Sequence, residues 1–138
     1  MLLSRFATVP YPNWLGLKVK KLGPGTASLS LKIEKRHQQY QGLAHGGVLS
    51  SLADTAATFA ALTILPEGTD LVTMEFKVNF LAGVPGGEII AEGEVVKMGN
   101  RVSLADVRML NSRDRRLVMT GTFTMLNFPA ARPETAKR

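Results

Sequence analysis

The sequence contains no cysteine and only two histidines, His37 and His45. The first absence excludes a disulfide framework, a thiolate zinc site, an iron–sulfur cluster and a cysteine nucleophile together. The second leaves little from which to build any metal centre. Charge is scarce as well, at 20% of residues against 45% hydrophobic. That balance is unlike a disordered chain and supplies a real core, and 138 residues fit one domain. The charge is uneven in sign, with 17 Lys and Arg against 11 Asp and Glu and a net +6. The positive residues are nevertheless dispersed, the largest clusters being Lys18 to Lys21 and Arg113 to Arg116. No basic stripe interleaved with aromatics and no nucleic-acid motif is present, a positive surface around a site for an anionic small molecule is equally compatible with the excess, and charge alone does not decide between the two.

Two kinds of apolar targeting segment are also missing. The stretch MLLSRFATVPYPNW places an Arg at position 5 and two prolines early, and lacks the continuous apolar run and cleavage site of a signal peptide, so a cytoplasmic location is expected. From Gly46 to Leu65 the only charge is Asp54, but two Gly, two Ser and three Thr make the run poor for lipid. It reads as a helix buried in a protein core, with no membrane partner.

What is present is a sequence of alternating short segments around that helix. Leu15 to Leu22 and Thr26 to Glu34 flank Gly23-Pro24-Gly25 and read as a hairpin. A polar connection, Lys35 to Ala44, leads to His45-Gly46-Gly47 and to a helix over Val48 to Leu65, which Pro66-Glu67-Gly68 stops. Met74, Phe76, Val78 and Phe80 then alternate with Thr73, Glu75, Lys77 and Asn79, a strand with one wet face. Extended segments follow at Glu88 to Met98, Val102 to Leu110 and Leu117 to Leu126, with a tight turn at Gly99-Asn100 and a polar loop at Asn111 to Arg116. The order predicts an α+β domain over residues 1–128, one long central helix wrapped by a curved antiparallel sheet, with 129–138 a flexible tail. Phe59, Phe76, Phe80, Phe123 and the methionines are assigned to the core. The far side or edge of such a sheet invites a second copy, so a dimer is expected.

Asp54 is the most informative residue, because an ionised carboxylate in an apolar helix costs several kcal/mol unless it is paired or used. No Lys or Arg lies between Gly46 and Leu65, although Ser50, Ser51 and Thr58 are one turn away. Either it is a structural carboxylate satisfied by hydroxyls or backbone, or it is a base or nucleophile at a water-accessible crevice. His45-Gly46-Gly47 stands where the helix starts. Two glycines there leave backbone N–H groups open at the positive end of the helix dipole, an anion or oxyanion site.

Gln39-x-x-Gly42-x-x-His45-Gly46-Gly47, followed after six intervening residues by Asp54, resembles the signature of the hotdog-fold acyl-CoA thioesterases of the phenylacetate-pathway type. The likeness runs from about Tyr11 to Phe128. It implies hydrolysis of an acyl-CoA thioester, with coenzyme A as part of the substrate and no metal or other cofactor. It makes Asp54 the catalytic carboxylate, Gly46 N–H the group that polarises the carbonyl, and His45 a supporting residue, with Gly47 beside the substrate. The carboxylate comes from the subunit opposite the His-Gly pair, so a homodimer is required, and pairs of dimers are common. Two positions depart from the pattern: Gln39 replaces an Asn, and Ala82 replaces a Ser or Thr that helps position water, with Ser50, Ser51 or Thr55 as substitutes. Gly99, Asn100 and Arg101 match the turn beside the nucleotide of coenzyme A. The competing reading is a non-catalytic acyl-CoA-binding or regulatory domain of the same fold.

Overall fold

The computed structural model describes residues 1–131. Two short helices open the chain, α1 (Leu2–Thr8) and α2 (Pro10–Leu15). Strands β1 (Lys18–Gly23) and β2 (Thr26–Lys32) form the expected hairpin, and a 3-10 turn at Lys35–His37 leads to the long helix α3 (Gly46–Leu62). Four strands follow: β3 (Thr69–Phe80), β4 (Glu88–Met98), β5 (Val102–Asn111) and β6 (Leu117–Pro129). All six strands make one antiparallel sheet in the order β1-β2-β4-β5-β6-β3, curved about α3.

Small residues let helix and sheet meet closely. α3 buries Leu49, Leu52, Ala53, Ala56, Ala57, Phe59, Ala60 and Ala61, and β4 passes so near that a Cβ on Gly93 would stand 2.7 Å from the carbonyl oxygen of Ala56. The helix begins at Gly46 rather than Val48 because the His45 side chain caps it, accepting from Gly47 N–H. It ends three residues before Leu65. There the Thr63 hydroxyl donates to Ala60 O at 2.6 Å and accepts Gly25 N–H at 2.7 Å, tying the β1–β2 turn to the helix end.

The N-terminal helices are absent from the sequence reading, which places Leu15 in a strand. Pro10 occupies the first position of α2, where a missing N–H costs nothing, and Gly16 ends it in the left-handed conformation. Phe6 of α1 meets the Phe59 ring edge-on, with centroids 5.3 Å apart.

A second correction concerns β3. Phe123, Met109, Met119 and Met125 are buried as expected, but Met74, Phe76 and Phe80 are about half exposed. Phe76, Val78 and Phe80 share the face turned toward α3, where Phe76 stacks on Phe123 and Phe80 lies over Gly46, but a bulge between Thr73 and Glu75 breaks the alternation at Met74, and because β3 is a sheet edge the face is left partly open. The opposite edge is built differently: β1 carries Lys18, Lys20 and Lys21 and a bulge between Val19 and Lys21, features that discourage edge pairing. β6 continues to Pro129, past the boundary expected at 128; of the expected tail, residues 132–138 lie outside the described residues. Among the described residues no helix is long and apolar enough to cross a membrane.

Candidate active site

The start of α3 is organised by its two glycines. His45 leaves extended backbone (φ −64°, ψ 135°) and folds its ring back so that Nδ1 accepts from Gly47 N–H at 2.8 Å. With Nδ1 an acceptor, the neutral imidazole carries its proton on Nε2. A Cβ on Gly47 would lie 2.9 Å from that Nδ1, so glycine is what admits the cap. The expectation that both glycine N–H groups are open is therefore corrected: Gly47 N–H is spent on His45. Gly46 N–H, at the first helical position, has no acceptor within the helix and enters none of the described backbone hydrogen bonds between segments.

Gly46 opens onto a crevice of about 340 Å³ shared with Gln39, Phe80 and Ala82. Three of the residues singled out in the sequence thus meet around one free N–H. The Phe80 ring lies over Gly46, 3.2 Å from where a Cβ would stand. Ala82 is fixed by the chain, since Leu81 N–H and Ala82 N–H both donate to Val118 O. Gln39 turns its side chain back on its own loop, its Oε1 accepting from Gln41 N–H and its Nε2 donating to Gln41 Oε1 at 3.0 Å. One amide proton of Gln39 remains uncommitted.

Asp54 is partly buried on the face of α3 that looks toward β3. Its Oδ1 accepts from the Thr73 hydroxyl at 2.7 Å. Burial pushes its carboxyl above the usual carboxylate range, and the Thr73 hydrogen bond opposes that rise. The hydroxyls expected around it do otherwise: Ser50, Ser51 and Thr55 donate to Gly46 O, Gly47 O and Ser51 O, the carbonyls four residues back. Thr58 is not a partner either. Thr73 carried no distinguishing signal in the sequence, where it is one of the polar members of an alternating strand.

The carboxylate does not reach the Gly46 crevice of its own chain. Eight residues of helix separate Gly46 from Asp54, about 12 Å along the axis, and the partners of the two lie seven residues apart on β3, roughly 23 Å. Thr73 holds one end and Phe80 covers the other.

The Gly99-Asn100-Arg101 turn lies at the Thr73 end of the sheet, because Ser103 pairs with Met125 and Met125 with Thr73. Buried Asn127 fixes it, its N–H donating to Arg101 O and its Nδ2 to Gly99 O, both at 2.8 Å, while its Oδ1 accepts from the Ser103 hydroxyl at 2.9 Å. A Cβ on Gly99 would come within 2.4 Å of Val102 O. Asn100 and Arg101 face solvent. Asn127 is a second residue that sequence reasoning did not find.

One curved six-stranded antiparallel sheet wrapped around a long central helix is the hotdog fold. Residues 41–118 match the family described as the thioesterase superfamily, and the chain belongs to that superfamily. A thioesterase family protein from Silicibacter pomeroyi is similar in structure, with a TM-score of 0.88 and 30% identity, covering 94% of this chain and 96% of that one. A phenylacetic acid degradation protein, PaaI, from Thermus thermophilus, solved in a mutant form, superimposes with a TM-score of 0.78 at 28% identity, covering 86% of this chain and 98% of its own. Human acyl-coenzyme A thioesterase 13 is 26% identical over 102 residues, 73% of this chain and 72% of its length. An esterase-named protein of Saccharolobus solfataricus is 33% identical over 95 residues, of which this chain spans 63% of the length.

Proposed function

We propose that the protein hydrolyses an acyl-CoA thioester to a free acid and coenzyme A, with Asp54 as the catalytic carboxylate and Gly46 N–H as the oxyanion donor. The observation that supports the reading is that one helix carries both a partly buried carboxylate with no cation beside it among the described residues and an N-terminal N–H with no acceptor among them. A single backbone donor aimed at the developing oxyanion contributes about 3 kcal/mol to such a barrier. Acting as base, Asp54 takes a proton from water as the oxygen attacks the carbonyl carbon. The tetrahedral intermediate then collapses, the C–S bond breaks, and the proton passes to the leaving thiolate. Acting as nucleophile, Asp54 attacks the carbonyl carbon, the C–S bond breaks and coenzyme A leaves as its thiolate, and water then cleaves the resulting anhydride to the free acid and the regenerated carboxylate, the released proton passing to the thiolate. Neither route calls on a metal or redox group.

The active unit in this proposal is a homodimer formed through β3, the edge that exposes Val72, Met74, Phe76 and Phe80. An antiparallel pairing about a two-fold axis near Phe76 and Lys77 brings Thr73, and with it Asp54, toward the partner's Phe80 and the Gly46 crevice it covers. The same axis carries the Arg101 turn toward the crevice of the other chain, beside the nucleotide of a bound substrate. A further pairing of dimers and the phenylacetate-pathway type are parts of the same proposal, the latter supported by the likeness to PaaI. The turned-back amide of Gln39 favours the non-catalytic alternative, since it withdraws a donor from the crevice.

Thiol release from a panel of acyl-CoAs, with wild type beside Asp54→Asn, tests the reading. Wild type should turn over at least one member, and the variant should lose at least about a hundredfold, equivalent to roughly 2.7 kcal/mol. Equal turnover by the two proteins removes Asp54 from the mechanism, and inactivity of wild type on every member favours the binding domain.

A further inference from the structure

His37 is the histidine that the proposed chemistry leaves idle, and it is fully buried. Both of its ring nitrogens are committed to backbone. Nδ1 accepts from Glu34 N–H at 2.9 Å, as one half of a reciprocal capping box that closes the 3-10 turn at Lys35–His37. Nε2 stands 2.8 Å from Leu15 O at the end of α2, and with Nδ1 an acceptor the neutral ring carries its proton on Nε2 and donates it there. Arg36 reinforces the junction from the surface, donating to Trp14 O at 2.6 Å and to Leu15 O at 3.2 Å. A ring fixed at both nitrogens fixes the backbone that bears it.

That backbone carries the start of α3. His37 O accepts His45 N–H at 2.8 Å, so the residue that caps the helix hangs from the carbonyl of His37. Gly46 follows His45 directly, and the direction of its N–H is set by the His45 backbone. The same bond closes the loop between the two histidines, inside which Gln38 and Ala44 form a bridge and Gln39 N–H donates to Leu43 O at 2.8 Å. On its other side the loop is held by Ala44 N–H on Val84 O at 2.7 Å and by Gln38 Nε2 on Pro85 O at 3.0 Å. Gly46 and Gln39, which line the crevice, thus take their positions from a frame that ends in the His37 ring.

We infer that His37 is a positioning residue for the thioesterase reaction: its ring, held between Glu34 and Leu15, sets where the Gln39 loop and the Gly46 N–H stand at the crevice, without touching substrate. The inference rests on the thioesterase reading. An oxyanion donor must meet the place the oxygen takes in the transition state, and an ångström of misplacement costs on the order of a hundredfold in rate. Ground-state binding is spread over many contacts and depends far less on one N–H. A displaced donor therefore lowers kcat at nearly constant KM.

Three substitutions separate the two ring contacts. In His37→Ala, which removes both, kcat on the acyl-CoA that wild type turns over best should fall by about tenfold to a hundredfold, with KM changed less than about threefold. His37→Asn keeps an acceptor near the Nδ1 position and His37→Gln a donor near the Nε2 position, so each should recover part of the loss. Should His37→Ala not fold, these two, which fill most of the ring's space, carry the comparison with wild type. Leu29→Ala, a truncation in the buried core of β2, measures what lost stability does by itself and should keep the wild-type kcat below its melting temperature. The Gly46 amide signal in a proton–nitrogen correlation spectrum reads position without turnover, and it should move in His37→Ala and return partway in the Asn and Gln variants. If wild type hydrolyses acyl-CoAs and Asp54→Asn does not, yet kcat or the Gly46 signal is unchanged in the folded His37 variants, or Leu29→Ala loses as much kcat as they do, His37 only braces the fold and the hydrolase reading stands. If wild type hydrolyses no acyl-CoA, the reading fails and the inference falls with it.

Discussion

Thr73 reaches from edge strand β3 to the long helix α3 and donates its hydroxyl to Asp54 at 2.7 Å, making an edge strand the support of the proposed catalytic group. Removing that donor should leave burial as the sole cause acting on the carboxyl, moving its pKa further up. Thr73→Val, similar in volume, is expected to shift the acid limb of the kcat/KM profile to higher pH, with a plateau loss of about tenfold, the scale of one hydrogen bond to a charged group. A pH–rate profile unchanged from wild type would show that Thr73 serves packing alone.

Asp54 should also be a cost to the fold. Its folded pKa is raised, so its contribution to stability is greatest when both folded and unfolded states are protonated, and is lost as pH rises through the folded pKa. At pH 7 Asp54→Asn should therefore melt higher than wild type, a gain that a functional residue withholds. The difference should shrink as pH falls toward the ordinary carboxylate range, near ~3.9. Melting curves at several pH values check the sign; a variant less stable at pH 7 overturns it.

The β3 edge gives a direct test of assembly. Met74→Lys puts a charge on an exposed apolar position twice in a two-fold interface, once from each chain. Sedimentation should show the wild type as a dimer or larger and the variant as a folded monomer with hydrolysis reduced by about a hundredfold or more. A variant that stays dimeric would place the interface on another surface.

Shared sites make a further demand. Asp54→Asn mixed with Gly46→Pro should form hybrid dimers in which one site has both the carboxylate and the N–H, restoring part of the activity that neither protein has alone. Proline suits position 46, because it is the first helical residue and His45 already has the extended backbone that a following proline requires. The half-exposed Phe80 ring is what must move to admit it. Hybrids shown to form and found inactive would contradict sharing.

Arg101 is expected to act on binding rather than on chemistry. Arg101→Ala should raise KM for acyl-CoA five- to thirtyfold with kcat nearly unchanged, since a partly exposed cation–phosphate contact contributes about 1–2 kcal/mol to ground and transition states alike. The effect should diminish as salt rises and vanish on acyl-pantetheine, which lacks the nucleotide. An equal loss of kcat on both substrates would place Arg101 in the chemistry or the fold.

The sequence by itself determined the succession of the six strands and the single long helix, and through its family resemblance it singled out Gln39, His45, Gly46 and Ala82, though neither the two N-terminal helices nor the His45 cap. Period-two alternation, helix-forming composition and glycine turns are local. It also marked Asp54, because an acid without a cation within a helical run is visible in one dimension. Only the tertiary structure decided which partner Asp54 has, since Thr73 is 19 residues away and looks like any polar residue on a strand. The same holds for β3: alternation groups Phe76, Val78 and Phe80 on one face, but it shows neither how far another element covers that face nor the bulge between Thr73 and Glu75 that turns Thr73 toward the helix as well, and the strand order makes β3 an edge. The end of α2 is likewise clamped by Arg36 and His37, contacts across more than twenty residues that no local pattern encodes.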